Sequence, residues 1–271
     1  MNFLDKLKTR WRSKNSLVCV GLDPDLDKIP EHIRVMDKPI FQFNRIIIDS
    51  TQDLVCAYKP QIAYYSAFGA EHELALTIDY IQTNYPDIPV ILDAKRGDIG
   101  STAKMYAMEA FDRYKADAVT VNPYMGGDTL KPFLDRKDKG VVILCRTSNP
   151  GARDLQDIES GNDKVYRIIA KHAANEWNYN SNIMLVVGAT YPEELGEIRS
   201  VTGEIPFLVP GIGAQGGDVE KSVINGRTHD GTGMAINSSR GIIYAGKGKD
   251  FSTAVRKAAM DLRDQINLYR Q

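Results

Sequence analysis

Eight short apolar runs recur along the chain, each parted from the next by a longer stretch. They are SLVCVGLD (16–23), LVCAYK (54–59), PVILDAK (89–95), DAVTVN (117–122), GVVILCRT (140–147), NIMLVVG (182–188), PFLVPG (206–211) and GMAINSS (233–239). Runs of this length and composition read as strands buried on both faces. Among the intervening stretches, PIFQFNRIIIDSTQD (39–53), STAKMYAMEAFDRY (101–114), DKVYRIIAKHAANEW (163–177) and FSTAVRKAAMDLRDQI (251–266) carry helical spacing. Strands joined by helical crossovers lie parallel. Eight such units in 271 residues predict an α/β fold, the closed (β/α)₈ TIM barrel, as one domain over 1–271 with an N-terminal helix. An open doubly wound sheet is the alternative. No Pro-, Gly- or Ser-rich linker divides the chain. The longest connection, TSNPGARDLQDIESGN (147–162), reads as a loop able to act as a lid.

Charge and composition remove several functions. With 34 basic and 35 acidic residues the net charge is −1, so no general nucleic-acid field is expected. No window approaches the ~18 apolar residues of a membrane span. The start, MNFLDKLKTRWRSKNS, is basic and amphipathic, with Phe3, Leu4, Leu7 and Trp11 near helical spacing. A surface helix is expected there, a transit peptide being the alternative. The three cysteines, Cys19, Cys56 and Cys145, sit inside apolar runs without a CxxC pair, which suits reduced thiols in a cytoplasmic protein. The four histidines, His32, His72, His172 and His229, show no ligand spacing, so no metal site is expected.

In a parallel barrel the active site forms at the C-terminal ends of the strands. The first run ends in Asp23 and the second in Lys59. The fifth ends in Arg146, Thr147 and Ser148, and the eighth in Asn237, Ser238, Ser239 and Arg240. The third is the most heavily charged: VILDAKRGDIGSTA (90–103) places Asp93, Lys95, Arg96 and Asp98 just past a buried strand. Charges there are costly unless paired or used. Side chains two residues apart share a direction, so Asp93 and Lys95 would stand together above Ile91. Turned inward beside Lys59 and Asp23, they would form an alternating acid–base row. A structural ion-pair network at the rim is the competing reading. Asp98 could instead serve the helix that begins near Ser101 as a cap.

The seventh run leads into PGIGAQGG, in which Gly211, Gly213 and Gly216 match GxGxxG. A dinucleotide site normally uses the first βα turn, whereas this is the seventh unit. A phosphate loop fits better. Its backbone N–H groups and the helix start at Asp218 would face an anion, with Arg240 alongside. A plain glycine turn remains open. No GK[ST] follows, so a Walker-type site is not supported.

DAKRGDIGSTA, with GLDP before it, YKPQIAYY between, TSNPGA after it and PGIGAQGG near the end, resembles the orotidine 5′-phosphate decarboxylase family, closest to its longer bacterial subgroup. The motifs run in family order from residue 21 to about 246. The resemblance implies a homodimeric (β/α)₈ barrel that turns orotidine monophosphate into uridine monophosphate and carbon dioxide without a cofactor. It assigns the catalytic row to Lys59, Asp93, Lys95 and Asp98. Asp98 and Thr102 would reach across the dimer interface, with Thr102 contacting ribose. Asp23 and Lys59 would bind a ribose hydroxyl, and Ser148 the amide edge of the pyrimidine. Pro210 and Ile99 would make apolar contacts around the base, and Gln215 and Arg240 would hold the phosphate. The loop after Ser148 departs from the family form, and SSRGIIY differs from the GRxIY form of the shorter subgroup.

Loss of carbon dioxide from the pyrimidine C6 leaves a carbanion that the ring delocalises poorly. No sequence motif for PLP, thiamine or a metal supplies an electron sink, so electrostatics must come from side chains. Lys95 would stabilise that charge and protonate C6, with Asp93 beside the departing carboxylate. Three other functions remain open on the residues alone. They are a magnesium-dependent sugar-phosphate decarboxylase or synthase, a Schiff-base aldolase using Lys59 or Lys95, and a non-catalytic phosphate-ligand binder.

Overall fold

Each apolar run overlaps a strand, and the second and third strands run one residue past the C-terminal end of theirs. The computed structural model describes residues 1–212 and 217–270. The strands are Val18–Leu22 (β1), Ala57–Pro60 (β2), Ile91–Arg96 (β3), Ala118–Val121 (β4), Gly140–Arg146 (β5), Ile183–Val187 (β6), Phe207–Val209 (β7) and Met234–Ser238 (β8). β1, β2, β4, β6, β7 and β8 are buried at every position. That pattern marks strands covered by side chains inside the cylinder and by helices outside it.

All neighbours run parallel. β1 pairs with β2 and β8, and the ladder continues through β7, β6, β5 and β4 to β3. The seam between β2 and β3 is closed by two isolated bridges, Tyr58 with Val90 and Gln61 with Asp93. The expected TIM barrel is therefore the observed fold. Its outer layer includes Pro39–Thr51, Glu71–Asn84, Gly100–Met108, Gly127–Leu134, Val165–His172, Pro192–Thr202, Val219–Gly226 and Phe251–Asn267. Two helices of the sequence reading end in π-helical turns, Glu109–Arg113 and Ala173–Trp177.

The N-terminal stretch forms the helix Phe3–Ser13, which covers the barrel floor with Phe3, Leu7 and Trp11. Its anchor is polar. Arg10, 1% exposed, donates to the Val55 carbonyl from Nε and Nη2 at 3.0 and 2.7 Å and to Asp87 at 2.9 Å. The guanidinium satisfies loop carbonyls that the floor would otherwise leave unpaired. The three thiols are buried and free. No helix among the described residues is long and apolar enough to cross a membrane.

The 147–162 connection is more ordered than a plain loop. It folds into the 3₁₀ turn Pro150–Ala152 and the short helix Arg153–Gln156, and Glu159–Ser160 pairs antiparallel with Asp163–Lys164. Short-range hydrogen bonds hold it. Gln156 accepts the Thr147 N–H and donates to the Thr147 hydroxyl, both at 2.9 Å. Arg146 at the end of β5 is fully buried, bonded to Glu194 at 2.5 Å and paired with Asp157 at 3.1 Å. It lies between the rings of Tyr166 and Tyr191. It is thus a clamp beneath the segment.

Candidate active site

The third strand leaves regular geometry where its charges begin. Leu92 pairs with Val119, but the next partners are Arg96 and Val121, so β3 spends four residues where β4 spends two. The bulge takes the N–H groups of Ala94 and Lys95 off the ladder. The Thr120 hydroxyl accepts both at 2.9 Å and donates to Asp93 Oδ1 at 2.9 Å. Lys95 takes a left-handed backbone with φ +47°. A non-glycine residue reaches that region at a cost, and such strain gathers at functional sites.

The result is a charged row. Lys59 Nζ donates to Asp93 Oδ2 at 2.9 Å, and Lys95 Nζ donates to Asp93 Oδ1 at 2.7 Å. Lys59 Nζ also lies 3.9 Å from Asp23 Oδ1. Asp93 and Lys95 meet as the sequence spacing implied, but through the bulge and not through a regular pleat. Burial disfavours the Asp93 carboxylate, yet Lys59 and Lys95 outweigh it and hold the group well below the usual carboxylate range. Burial likewise opposes the Lys59 ammonium, and Asp23 and Asp93 overcome it, raising Lys59 above the ordinary lysine value.

Arg96 takes no part. It forks onto Glu109 at 2.8 and 2.9 Å and lies over the Tyr106 ring, on the helix side of the strand. Asp98 is half-buried and accepts the N–H of Ile99 at 2.8 Å, so it does not cap the helix Gly100–Met108, whose N-cap is Ile99.

Above the row opens a cavity of about 560 Å³. Asp23, Lys59, Asp93, Lys95, Ser148, Pro210 and Arg240 all line it. Asp98, Ile99 and Thr102 do not; Ile99 is 61% exposed on the outer surface beside the mouth. Gln215 lies outside the described residues. The ends of its loop are drawn together by the bridge between Ile212 and Gly217 and by the Gly217 N–H, which donates to the Gly211 carbonyl at 3.0 Å. A Cβ at 217 would fall 2.7 Å from that carbonyl oxygen, so only glycine permits the pinch. The helix that follows is capped by Asp218, which accepts the Lys221 N–H at 3.1 Å. Ser148 is fixed from behind, since its backbone packs against Gly188 where a Cβ would come within 2.9 Å.

Thr120, not singled out from sequence, also lines the wall, as does Asn237, named there only as part of the eighth strand end. Asn237 Oδ1 is buried without a hydrogen-bond partner among the described residues. No sequence signal marks Thr120, which in DAVTVN is an ordinary strand residue until the β3 bulge presents two N–H groups to its hydroxyl.

Acid and base groups raised on adjacent strand ends, beneath a mouth flanked by a glycine-pinched loop and an arginine, define an α/β-barrel enzyme for a phosphorylated ligand. Comparison with known proteins narrows the class. The model of the Orotidine 5′-phosphate decarboxylase / HUMPS family matches residues 16–255, and the chain belongs to this family. It is 57% identical over 270 residues to an orotidine 5′-phosphate decarboxylase of Dechloromonas aromatica (strain RCB), covering 100% of both chains. A Cellvibrio japonicus (strain Ueda107) protein of the same name is 57% identical over 272 residues, again covering 100% of both. The structure of Leishmania donovani OMP decarboxylase superposes with a TM-score of 0.87 at 40% identity, covering 100% of this chain and 99% of that one.

Proposed function

We propose that this chain converts orotidine 5′-phosphate to uridine 5′-phosphate and carbon dioxide, the last step of UMP biosynthesis. One observation carries the reading: the unbroken Lys59–Asp93–Lys95 row, with contacts of 2.9 and 2.7 Å, stands under a cavity that extends to Arg240. The bond between C6 and its carboxylate breaks and the electron pair stays on C6. The Lys95 ammonium lies beside that charge and delivers the proton that C6 needs. Asp93, kept ionised, faces the substrate carboxylate. Two such charges ~4 Å apart repel by about 4 kcal/mol at an effective dielectric of ~20. Contacts remote from C6 offset that strain. These are Asp23 and Lys59 on ribose, Ser148 and Pro210 on the base, and Arg240 with Gln215 on the phosphate.

Asp98, Ile99 and Thr102 belong to a second copy's site in this reading. They sit on the rim beside a patch of exposed apolar side chains, with Ile99 at 61%, Met105 at 56% and Met108 at 46% exposure. A homodimer that covers this patch brings them over the neighbouring mouth and shares two sites between two chains. Buried free thiols and the absence of any disulfide pairing in the described residues suit a cytoplasmic enzyme.

The test follows the absorbance of orotidine 5′-phosphate with purified protein, with and without a chelator. Steady loss in both is expected. No loss overturns the reading, and loss abolished by chelator favours the magnesium-dependent alternative. Lys95→Ala is expected to lower turnover by at least ~10²–10⁴-fold while uridine 5′-phosphate still binds. Full turnover in that variant would remove Lys95 from the mechanism.

A further inference from the structure

The turn after β1 and the turn after β8 come from opposite ends of the chain, yet one side chain joins them. Tyr244 closes the short helix Arg240–Ile243. Its hydroxyl donates to the Asp23 carbonyl at 3.0 Å and accepts the Asp25 N–H at 2.7 Å. Its ring stacks on Phe43 with centroids 5.8 Å apart and planes inclined by 17°. Lys28, paired with Asp25 at 2.7 Å, lies 5.7 Å above the same ring. The Tyr244 hydroxyl is therefore fully used, and both its partners are backbone groups of the 23–25 turn. Asp23 lines the cavity, and its Oδ1 is buried with no hydrogen-bond partner among the described residues. Lys59, at 3.9 Å, is too far to donate to it. Such an acceptor is unsatisfied until a ligand donor arrives.

We propose that Tyr244 is a positioning residue for ribose recognition. It pins the backbone on both sides of the 23–25 turn, sets the Asp23 carboxylate against Lys59 for a sugar hydroxyl, and ties that grip to the helix that carries Arg240. The proposal rests on the nucleotide reading given under Proposed function. Tyr244 does not line the cavity, so its effect passes through Asp23.

Tyr244→Phe keeps the ring and its stack and removes only the hydroxyl. Dissociation constants of the full chain are measured for uridine 5′-phosphate and for 2′,3′-dideoxyuridine 5′-phosphate. The variant is expected to bind the ribonucleotide about tenfold more weakly, the scale of one or two lost hydrogen bonds, and the dideoxy analogue as tightly as the parent does. Equal weakening toward both nucleotides, or none toward either, overturns the proposal, because the hydroxyl would then serve only the general fold. In an Asp23→Ala background the same substitution is expected to add nothing, and a further tenfold loss there overturns it as well. If the parent protein itself fails to distinguish the two nucleotides, the ribose reading of the site falls and this proposal with it. A parent that distinguishes them, with a variant that weakens both equally, sinks the Tyr244 role alone.

Discussion

Asp93 carries three hydrogen bonds from three strands: Lys59 on β2, Lys95 on its own strand and Thr120 on β4. This explains how a carboxylate only 7% exposed remains charged. It also sets a pH dependence. The folded pKa lies below the unfolded value of ~3.9, so the contribution is fully present above that value and is lost as pH falls through the folded one. Urea unfolding of the parent chain should therefore show stability declining below about pH 4, and Asp93→Asn should flatten that decline. At pH 7 the same variant should be less stable by about 3–5 kcal/mol, because Lys59 is left buried without its main partner. An unchanged acid slope in the variant would refute the assignment. At this scale the sequence was legible where charge met a buried strand: Lys59, Asp93 and Lys95 converge as their positions implied. Thr120 was not legible, since a threonine within a β run is an ordinary strand former until a bulge gives its hydroxyl two stranded N–H groups to accept.

Elements were easier to read than their junctions. The eight apolar runs each overlap a strand because a parallel sheet covered on both faces leaves no polar alternation to confuse the period. The 147–162 segment resisted, because its order comes from tertiary clamps and not from local propensity. Arg146 reaches Glu194 and Asp157, and Gln156 holds Thr147. Those clamps set Ser148 against Gly188, with the Thr190 hydroxyl bonded to the Ser148 carbonyl at 3.3 Å. Gly188→Ala puts a methyl 2.9 Å from the Ser148 backbone, which must then move. We expect stability to fall by about 1–3 kcal/mol. Since Ser148 bears on the substrate base in the proposed reading, KM should rise more than kcat falls. Steady-state kinetics with orotidine 5′-phosphate checks this, and unchanged KM would show that Ser148 does not depend on that contact.

For the whole molecule, the barrel presents one furnished mouth and a plain floor. The Arg10 anchor serves the floor, and the charged row serves the mouth. Asp98 and Thr102 fit neither end of a single chain, since they lie on the rim outside its cavity. If two chains complete each other's sites, inactive Asp98→Ala and inactive Lys95→Ala chains should recover part of the activity when mixed. A statistical mixture restores at most about one unimpaired site per hetero-dimer, so the ceiling is roughly a quarter of the parent rate. No recovery in hetero-dimers verified by mass would place Asp98 outside the shared site.

The seam between β2 and β3 adds a last point. Two isolated bridges join these strands, and the contact between Lys59 and Asp93 spans the same gap. The pair that lines the cavity is thus also a rivet in the hull. A change at either partner loosens the staves as it alters the lining of the cavity, so both requirements fall on one pair of side chains.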